Sequence, residues 1–486
     1  MSRPNFLAIS VTVAHAMAYF RDRVGNVASG PAVALAKPAI LSLFSRIQTG
    51  TLILIDETSD ERHVLGQPLP SSGNPGPPCV VTLTAHSPQF YLRLLLHADM
   101  GFAAAYLLHQ VSCSDLTAFF RLFILNRDAL NHGMSIIINT TGNQTHNNTI
   151  EGAAINIAAH YDLGNDLFAA FLSPDMTYSS PIWEHITGQA SESSSSSTPK
   201  QNPDDDDDGD GDGESLESAQ LRKLHHIISA ARIKPSDHVL EIGTGWGSFA
   251  IEAVKTTCCR VTTLTLSREQ KRFAEKKIAE ELASAGLADR VEVLLMDYRD
   301  EALPVPRGGF DKVVSIEMLE AVGREFLGTY FARVDGVLKR EGGIAVFQCI
   351  TMPEGRHGAY ERREDFINRY IFPGGYLPSI TQLLNCITAE SRGTLLVEKL
   401  DNIGGHYARA LRLWREKFLA SFDNKIRPAL LEEHPNMQKA DVEVFRRKWE
   451  YYFAYCEAGF VTKTLGDVII TVCREGAKEL TERIPL

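Results

Sequence analysis

The stretch VLEIGTGWGSFAIEAV, Val239 to Val254, restricts the fold more than any other part of this 486-residue chain. An aliphatic run breaks at Gly243-Thr-Gly245-Trp-Gly247 and resumes with helical spacing, so a strand, a tight turn and a helix follow one another directly. The same alternation continues on both sides. A helix over 216–231 precedes the strand HVLEIG, and RVTTLTL, VEVLLMD, KVVSIEM and GIAVFQCI read as further strands. Helices SFAIEAVKT, REQKRFAEKKIAEELAS and Arg324 to Leu338 lie between them. This pattern predicts an α/β fold with a parallel, doubly wound sheet. Strand material near Leu395 and VIITVC, Val468 to Cys473, is placed to close it, with the long helices YARALRLWREKFLASF and EVFRRKWEYYFAYCEAGF between.

The first 150 residues have a different texture. Helical patterning runs to about Gln48, TLILID and VVTLTAH alternate like strands around the loop QPLPSSGNPGPP, and two helical segments follow, the second capped by Ser114. A small N-terminal α+β domain is expected. The opening stretch, MSRPNFLAISVTVAHAMAYFRDRV, is expected to be a helix of the fold rather than a cleaved leader, because His15 and Arg21 interrupt its apolar run. Sequons at Asn139, Asn143 and Asn147 read as chance in an Asn/Thr-rich loop.

Charge is unevenly spread. Ala190 to Glu217 holds ten acidic residues against Lys200 alone, which accounts for most of the net charge of −11. This Ser-rich, then Asp-rich tract cannot bury enough apolar area to offset its ordering entropy, so a disordered acidic insert is expected at 186–215. It lacks the twelfth-position Glu of a calcium loop. Eight cysteines without CxxC spacing argue against zinc, and no basic patch with interleaved aromatics points to nucleic acid.

The glycine turn is read by elimination. Ser248 stands where a dinucleotide fingerprint needs its third glycine, Trp246 crowds a pyrophosphate, and no Walker lysine is present. S-adenosylmethionine fits better: Glu241 accepts from its amino group, and bare backbone at Gly243, Gly245 and Gly247 lets it lie against the strand end. Thr265, Leu266 and Gln270 in LTLSREQ are placed for the ribose, and Tyr298 and Arg299 in MDYRD for the adenine, all at one sheet edge.

HYDLGNDLFAAFLSPDMTYSSPIW, LEIGTGWG, TLSREQ, DYRD, SIEMLEAVG, YIFPGGYLPS, GGHYARALRLW and YYFAYCEAGF, in this order, resemble the cyclopropane-fatty-acyl-phospholipid synthase family, which includes the mycolic acid cyclopropane synthases. The resemblance covers roughly 155 to 475. It implies a class I S-adenosylmethionine methyltransferase with helical cap insertions over 151–486, the acidic insert lying inside that domain, and an accessory, lipid-binding domain over 1–150.

The resemblance also implies a chemistry: methyl transfer to the double bond of an unsaturated phospholipid acyl chain, then loss of a proton from the carbocation to close a cyclopropane. Tyr161, Tyr178 and Ser179 match cofactor-lining positions, and Phe168 and Phe171 either join them or pack the core. A bicarbonate ion is the family's base, and its ligands carry over as Glu320, Tyr407, the backbone of Ile350, Ser180 in place of Cys, and Gln348 in place of His; the alternative is that Glu320 itself takes the proton, its proton affinity raised by burial. Cys456 matches a family cysteine, though a small core residue is its simpler role. YIFPGGYLPS is expected to form a lid or acyl-channel wall, and Arg409, Arg412, Arg446, Arg447 and Lys448 either meet lipid phosphates or simply solvate helix faces. A cytoplasmic, peripherally membrane-associated enzyme is expected, with a homodimer left open. Two other readings stay open: a sphingolipid C-methyltransferase or small-molecule N-methyltransferase of the same superfamily, and a non-catalytic lipid-binding protein.

Overall fold

The computed structural model describes residues 31–67, 79–134, 164–184 and 214–482. The opening helix, the sequons, Tyr161 and most of the acidic insert lie outside these residues.

Two sheets organise the chain. The first is built from β1 (Gly50–Asp56), β2 (Glu61–Gln67), β3 (Val80–Ala85) and β4 (Val111–Cys113), which lie in the order β2-β1-β3-β4. β1 runs parallel to β3 and antiparallel to β2. β2 and β4 are absent from the sequence reading for a physical reason. β2, ERHVLGQ, is an edge strand with mostly solvated side chains, so it carries little alternation, and β4 is three residues long. The helix Gln89–Leu107 covers this sheet and is broken at Ala98, whose φ is +48°. The helix Leu116–Leu125 is capped by Asp115, not Ser114, because the Asp115 carboxylate accepts from the N–H of Ala118.

The second sheet has seven strands. β5 (His238–Ile242), β6 (Arg260–Thr265), β7 (Val291–Leu295), β8 (Lys312–Ile316) and β9 (Ile344–Thr351) are parallel. The closing strands β10 (Leu396–Asn402) and β11 (Gly466–Cys473) complete the order β10-β11-β9-β8-β5-β6-β7. β11 is antiparallel to both β9 and β10, so the sheet is mixed rather than wholly parallel. Periodicity reports burial and says nothing of direction, which the connections decide.

Helical insertions between β9 and β11 form a cap. The helices Gly404–Ser421 and Lys439–Val461 pack face to face, burying Trp414, Phe418, Trp449 and Phe453 against Phe171. Burying each such ring contributes roughly 1.5–3 kcal/mol, so this aromatic block is a main source of cap stability. The N-terminal sheet and its helices attach to the same block. Tyr451 packs on Phe102, Tyr106 and Phe120, and the buried Glu457 accepts from Thr117 Oγ1 at 2.8 Å while pairing with Arg412 and Arg415. Among the described residues no helix is long and apolar enough to cross a membrane.

Candidate active site

β5 delivers the chain into its glycine turn at the carboxyl edge of the sheet. Gly243 and Gly245 have φ of +104° and +51°, where a side chain is strained. A Cβ at Gly243 would meet Met318 at 3.1 Å, and one at Gly245 would meet nothing within 4 Å. The turn is tied down by the N–H groups of Gly243 and Thr244, which donate to the carbonyl of Leu264 on β6.

Beside this turn lies a cavity of about 160 Å³ at the ends of β5, β6, β7 and β8. Tyr178, Ser179, Glu241, Gly243 and Gly245 line it, as do Thr265, Leu266, Gln270, Tyr298 and Arg299. Gly247 is the exception: it sits under the helix Ser248–Thr257 against Ala274 and has a packing role. Trp246 lines the cavity while its Nε1 donates to Asn165 Oδ1 at 2.8 Å. Thr265 Oγ1 and Gln270 Oε1 are 2.9 Å apart. Arg299 makes a two-pronged pair with Asp297 and lies over the Tyr298 and Phe326 rings.

Two buried ionisable groups shape this cavity. Burial pushes the Glu241 carboxyl up to about 8, and its Oε2 has no partner among the described residues. Lys223, on the helix Leu216–Ala230, donates from Nζ to Ser179 Oγ at 2.6 Å, and burial pushes it down to about 8. The sequence reading missed Lys223. Its signal was there: it lies seven residues after Leu216 on the helix's buried stripe, where a lysine is out of place. An orphaned buried carboxylate oxygen, a lysine and open glycine backbone suit a ligand with an amino acid end, as S-adenosylmethionine has.

A second cavity, of about 240 Å³, lies under the cap. Its walls are mostly apolar and aromatic, from YIFPGGYLPS (Phe372, Pro373, Tyr376), from Tyr407 and Leu411 on the helix Gly404–Ser421, and from Tyr452, Cys456 and Phe460 on the helix Lys439–Val461. Ile124 of the N-terminal unit completes one side. Tyr178, Glu317 and Ala321 line both cavities, so the two spaces meet there.

At that junction sits a cluster of buried carboxyls. Glu317 Oε1 accepts from the Ser180 N–H at 2.7 Å and from Gln348 Nε2 at 2.8 Å, and Oε2 accepts from the Tyr407 hydroxyl at 2.8 Å. Gln348 Nε2 also donates to Asp467 at 2.9 Å. Glu320 Oε1 accepts the N–H of Ile350, and its Oε2 has no partner among the described residues. Burial, with the Glu317 charge beside it, pushes Glu320 up to about 8 and Asp467 well above the carboxylate range. The structure therefore brings Glu320, Tyr407, Gln348, Ser180 and Ile350 together as expected, but around Glu317, which the sequence reading passed over. Ile350 spends its N–H on Glu320, and the Ser180 hydroxyl turns to the carbonyl of Pro181.

The other candidates separate cleanly. Phe168 and Phe171 line neither cavity and are core, as the aromatic block requires. Cys456 lines the apolar cavity as a neutral thiol, its ionisation pushed far up by burial. Arg409 stacks on Trp183, Arg412 pairs with Glu457, and Arg446 and Arg447 are held by Glu443, so these cations serve internal contacts. Lys448 lies over Phe445.

Comparison with known proteins places this geometry. Residues 148–469 match the family described as mycolic acid cyclopropane synthetase. The chain is 36% identical over 404 residues to a tuberculostearic acid methyltransferase of Mycobacterium tuberculosis, covering 82% of this chain and 84% of the relative. It is 31% identical over 377 residues to the cyclopropane-fatty-acyl-phospholipid synthase of Escherichia coli, covering 77% and 83%. Among solved structures it is similar to a mycolic acid cyclopropane synthase complexed with SAH and CTAB, at a TM-score of 0.50 and 26% identity, covering 66% of this chain and 98% of that one.

Proposed function

The chain belongs to the mycolic acid cyclopropane synthetase family of S-adenosylmethionine-dependent methyltransferases, and from that premise we propose that it alkylates the double bond of an unsaturated phospholipid acyl chain and closes a cyclopropane ring. One observation carries this reading: a cavity with an amino-acid-binding end meets an apolar cavity at Tyr178, Glu317 and Ala321.

Bound S-adenosylmethionine supplies an electrophilic methyl group. Glu241, Lys223 and the glycine turn bind its polar end and orient it toward the junction. The apolar cavity holds the acyl chain and keeps water away, which matters because water would trap an alkyl cation as an alcohol. As the alkene's π pair forms the new C–C bond, the methyl–sulfur bond breaks with its electron pair left on the departing thioether, and positive charge appears on the neighbouring carbon. The faces of Tyr178 and Tyr452, whose hydroxyls are 2.9 Å apart, are positioned to stabilise it, by about 2 kcal/mol for a desolvated cation–π contact. A buried carboxylate then takes a proton from the added methyl, and the C–H pair closes the ring.

The kinship with a tuberculostearic acid methyltransferase favours one second reading, in which the hydrogen of the methylated carbon shifts with its electron pair to the cationic neighbour and the methyl group then loses a proton to give a methylene branch. Incubating the protein with S-adenosylmethionine and vesicles of an unsaturated phospholipid separates the two. Both add one CH2 unit by mass spectrometry. Cyclopropane protons upfield in the NMR spectrum support ring closure, vinylidene protons support the branch, and unaltered lipid rejects both.

A further inference from the structure

We infer that the Glu317 carboxylate is this protein's own covalently attached catalytic base, occupying the place where an added anion would otherwise have to be bound. The inference rests on the proposed methyl transfer to an alkene, and three observations of the chain itself carry it.

The first is the set of donors. Ser180 N–H, the Gln348 amide and the Tyr407 hydroxyl converge within 2.7–2.8 Å on the two oxygens of one side chain. These are three of the five groups expected from the sequence to hold a free bicarbonate, and Glu317 engages all three. Each donor is neutral. They orient a negative charge without cancelling it, whereas an arginine in their place would hold the carboxylate's proton affinity down.

The second is backbone strain. Glu317 follows β8 with φ of +46°, in the left-handed region that favours glycine. A long acidic side chain is kept in a conformation that glycine would adopt freely. Such outliers persist where the surroundings over-determine them, and here the three donors do so.

The third is place. Glu317 lines both cavities, whereas Glu320 lines only the apolar one. A methyl group passed from one cavity to the other crosses at the junction, so the hydrogens to be removed lie beside Glu317. In the proton-transfer step one C–H bond of the added methyl breaks, its electron pair forms the last C–C bond, and the proton becomes the acid hydrogen of Glu317. Glu320 and Asp467 are positioning groups, held neutral by burial and by the charge next to them. Burial keeps Glu317 itself above the usual carboxylate range, in keeping with a base that must regain a proton.

Glu317→Gly and Glu317→Gln test this, with folding checked by thermal melting and cofactor affinity by calorimetry. Wild-type protein should show no saturable binding of 13C-bicarbonate by NMR, and its turnover in bicarbonate-free buffer should not respond to added bicarbonate. Glu317→Gly should bind 13C-bicarbonate, lose at least ~10²-fold in turnover without it, and regain at least about tenfold with it. Glu317→Gln should keep its cofactor affinity, lose a similar factor and gain nothing from bicarbonate. Bicarbonate binding by wild type, failure of the glycine variant to bind it, or full turnover of either variant in bicarbonate-free buffer overturns the inference. The binding arm needs no lipid, so it stands or falls separately from the proposed substrate.

Discussion

Glu241 is a proton switch on cofactor binding. Burial holds its carboxyl at about 8, so near neutral pH it is mostly protonated before a cofactor binds. A ligand ammonium beside it favours the ionised form, and binding then expels that proton. Affinity should rise with pH toward neutrality, until loss of the Lys223 proton near about 8 begins to oppose it. Calorimetry in buffers of different ionisation enthalpy should show proton release at pH 7, and Glu241→Gln should abolish the release and weaken binding by at least tenfold, in line with the ~1.5–3 kcal/mol of a hydrogen bond to a charged group. Equal heats in all buffers would rule this out. At this scale the sequence was read unevenly, and the reasons are physical. Glu320 and Tyr407 stood out because each sits in a recognisable run, SIEMLEAVG and GGHYARALRLW. Glu317 lies three residues before Glu320 in the same run, and nothing in one dimension says which carboxylate receives the donors. Asp467 stands just before the apolar VIITVC and reaches the cluster only because β11 pairs with β9 in a register that sets it opposite Ile350.

The helix Gly404–Ser421 illustrates what an element contributes beyond its residues. Tyr407, Leu411, Trp414 and Phe418 recur at helical spacing and are all buried, as the sequence periodicity predicts. Within that one stripe the roles differ. Tyr407 bonds the base, Leu411 lines the acyl cavity, and Trp414 and Phe418 pack the aromatic block. Periodicity finds the stripe and cannot divide it, because cavity wall and core are equally apolar. The division is testable at Leu411. Leu411→Trp adds volume where the acyl chain must lie, at an overpacking cost of about 1–3 kcal/mol. Lipid turnover should fall at least tenfold while cofactor affinity, measured by calorimetry, stays within twofold, since Leu411 does not line the cofactor cavity. Loss of both would place the helix in the cofactor site instead. Element types were legible for the same reason that strand direction was not. The apolar run that reveals β11 is unchanged when a strand is reversed, and the capping preference that pointed to Ser114 is satisfied equally by Asp115 next door.

At the scale of the whole molecule, two groups of carboxyls pull stability in opposite directions with pH. Asp56 at the end of β1 is held below its ordinary value by Lys37, Thr58 and Tyr91, and Asp335 by Arg474 and Thr394. For these the folded state binds its proton more weakly than the unfolded chain. Their contribution is present above the unfolded pKa and is lost as pH falls through the folded one. Glu241, Glu320 and Asp467 behave conversely, because burial raises all three. Their contribution is complete below the unfolded value, near 4.5 for glutamate, and is lost as pH climbs through the folded value, about 8 for Glu241 and Glu320. Each tenfold difference in proton affinity between the folded and unfolded states is worth ~1.4 kcal/mol, so Glu241 and Glu320 each cost on the order of a few kcal/mol by pH 8. Stability without cofactor should therefore peak near about pH 5 and decline toward pH 8, although the chain's net charge of −11 and pI near 5.8 would by themselves produce only a shallow slope. Thermal melting across this range should show the decline, and Glu320→Gln, which cannot ionise, should flatten part of it. Saturating cofactor should flatten the Glu241 part by pairing that charge. A melting temperature that instead rises steadily from pH 5 to 8 would mean that the carboxyls between the two cavities are charged without penalty, and a water-poor junction would then be untenable.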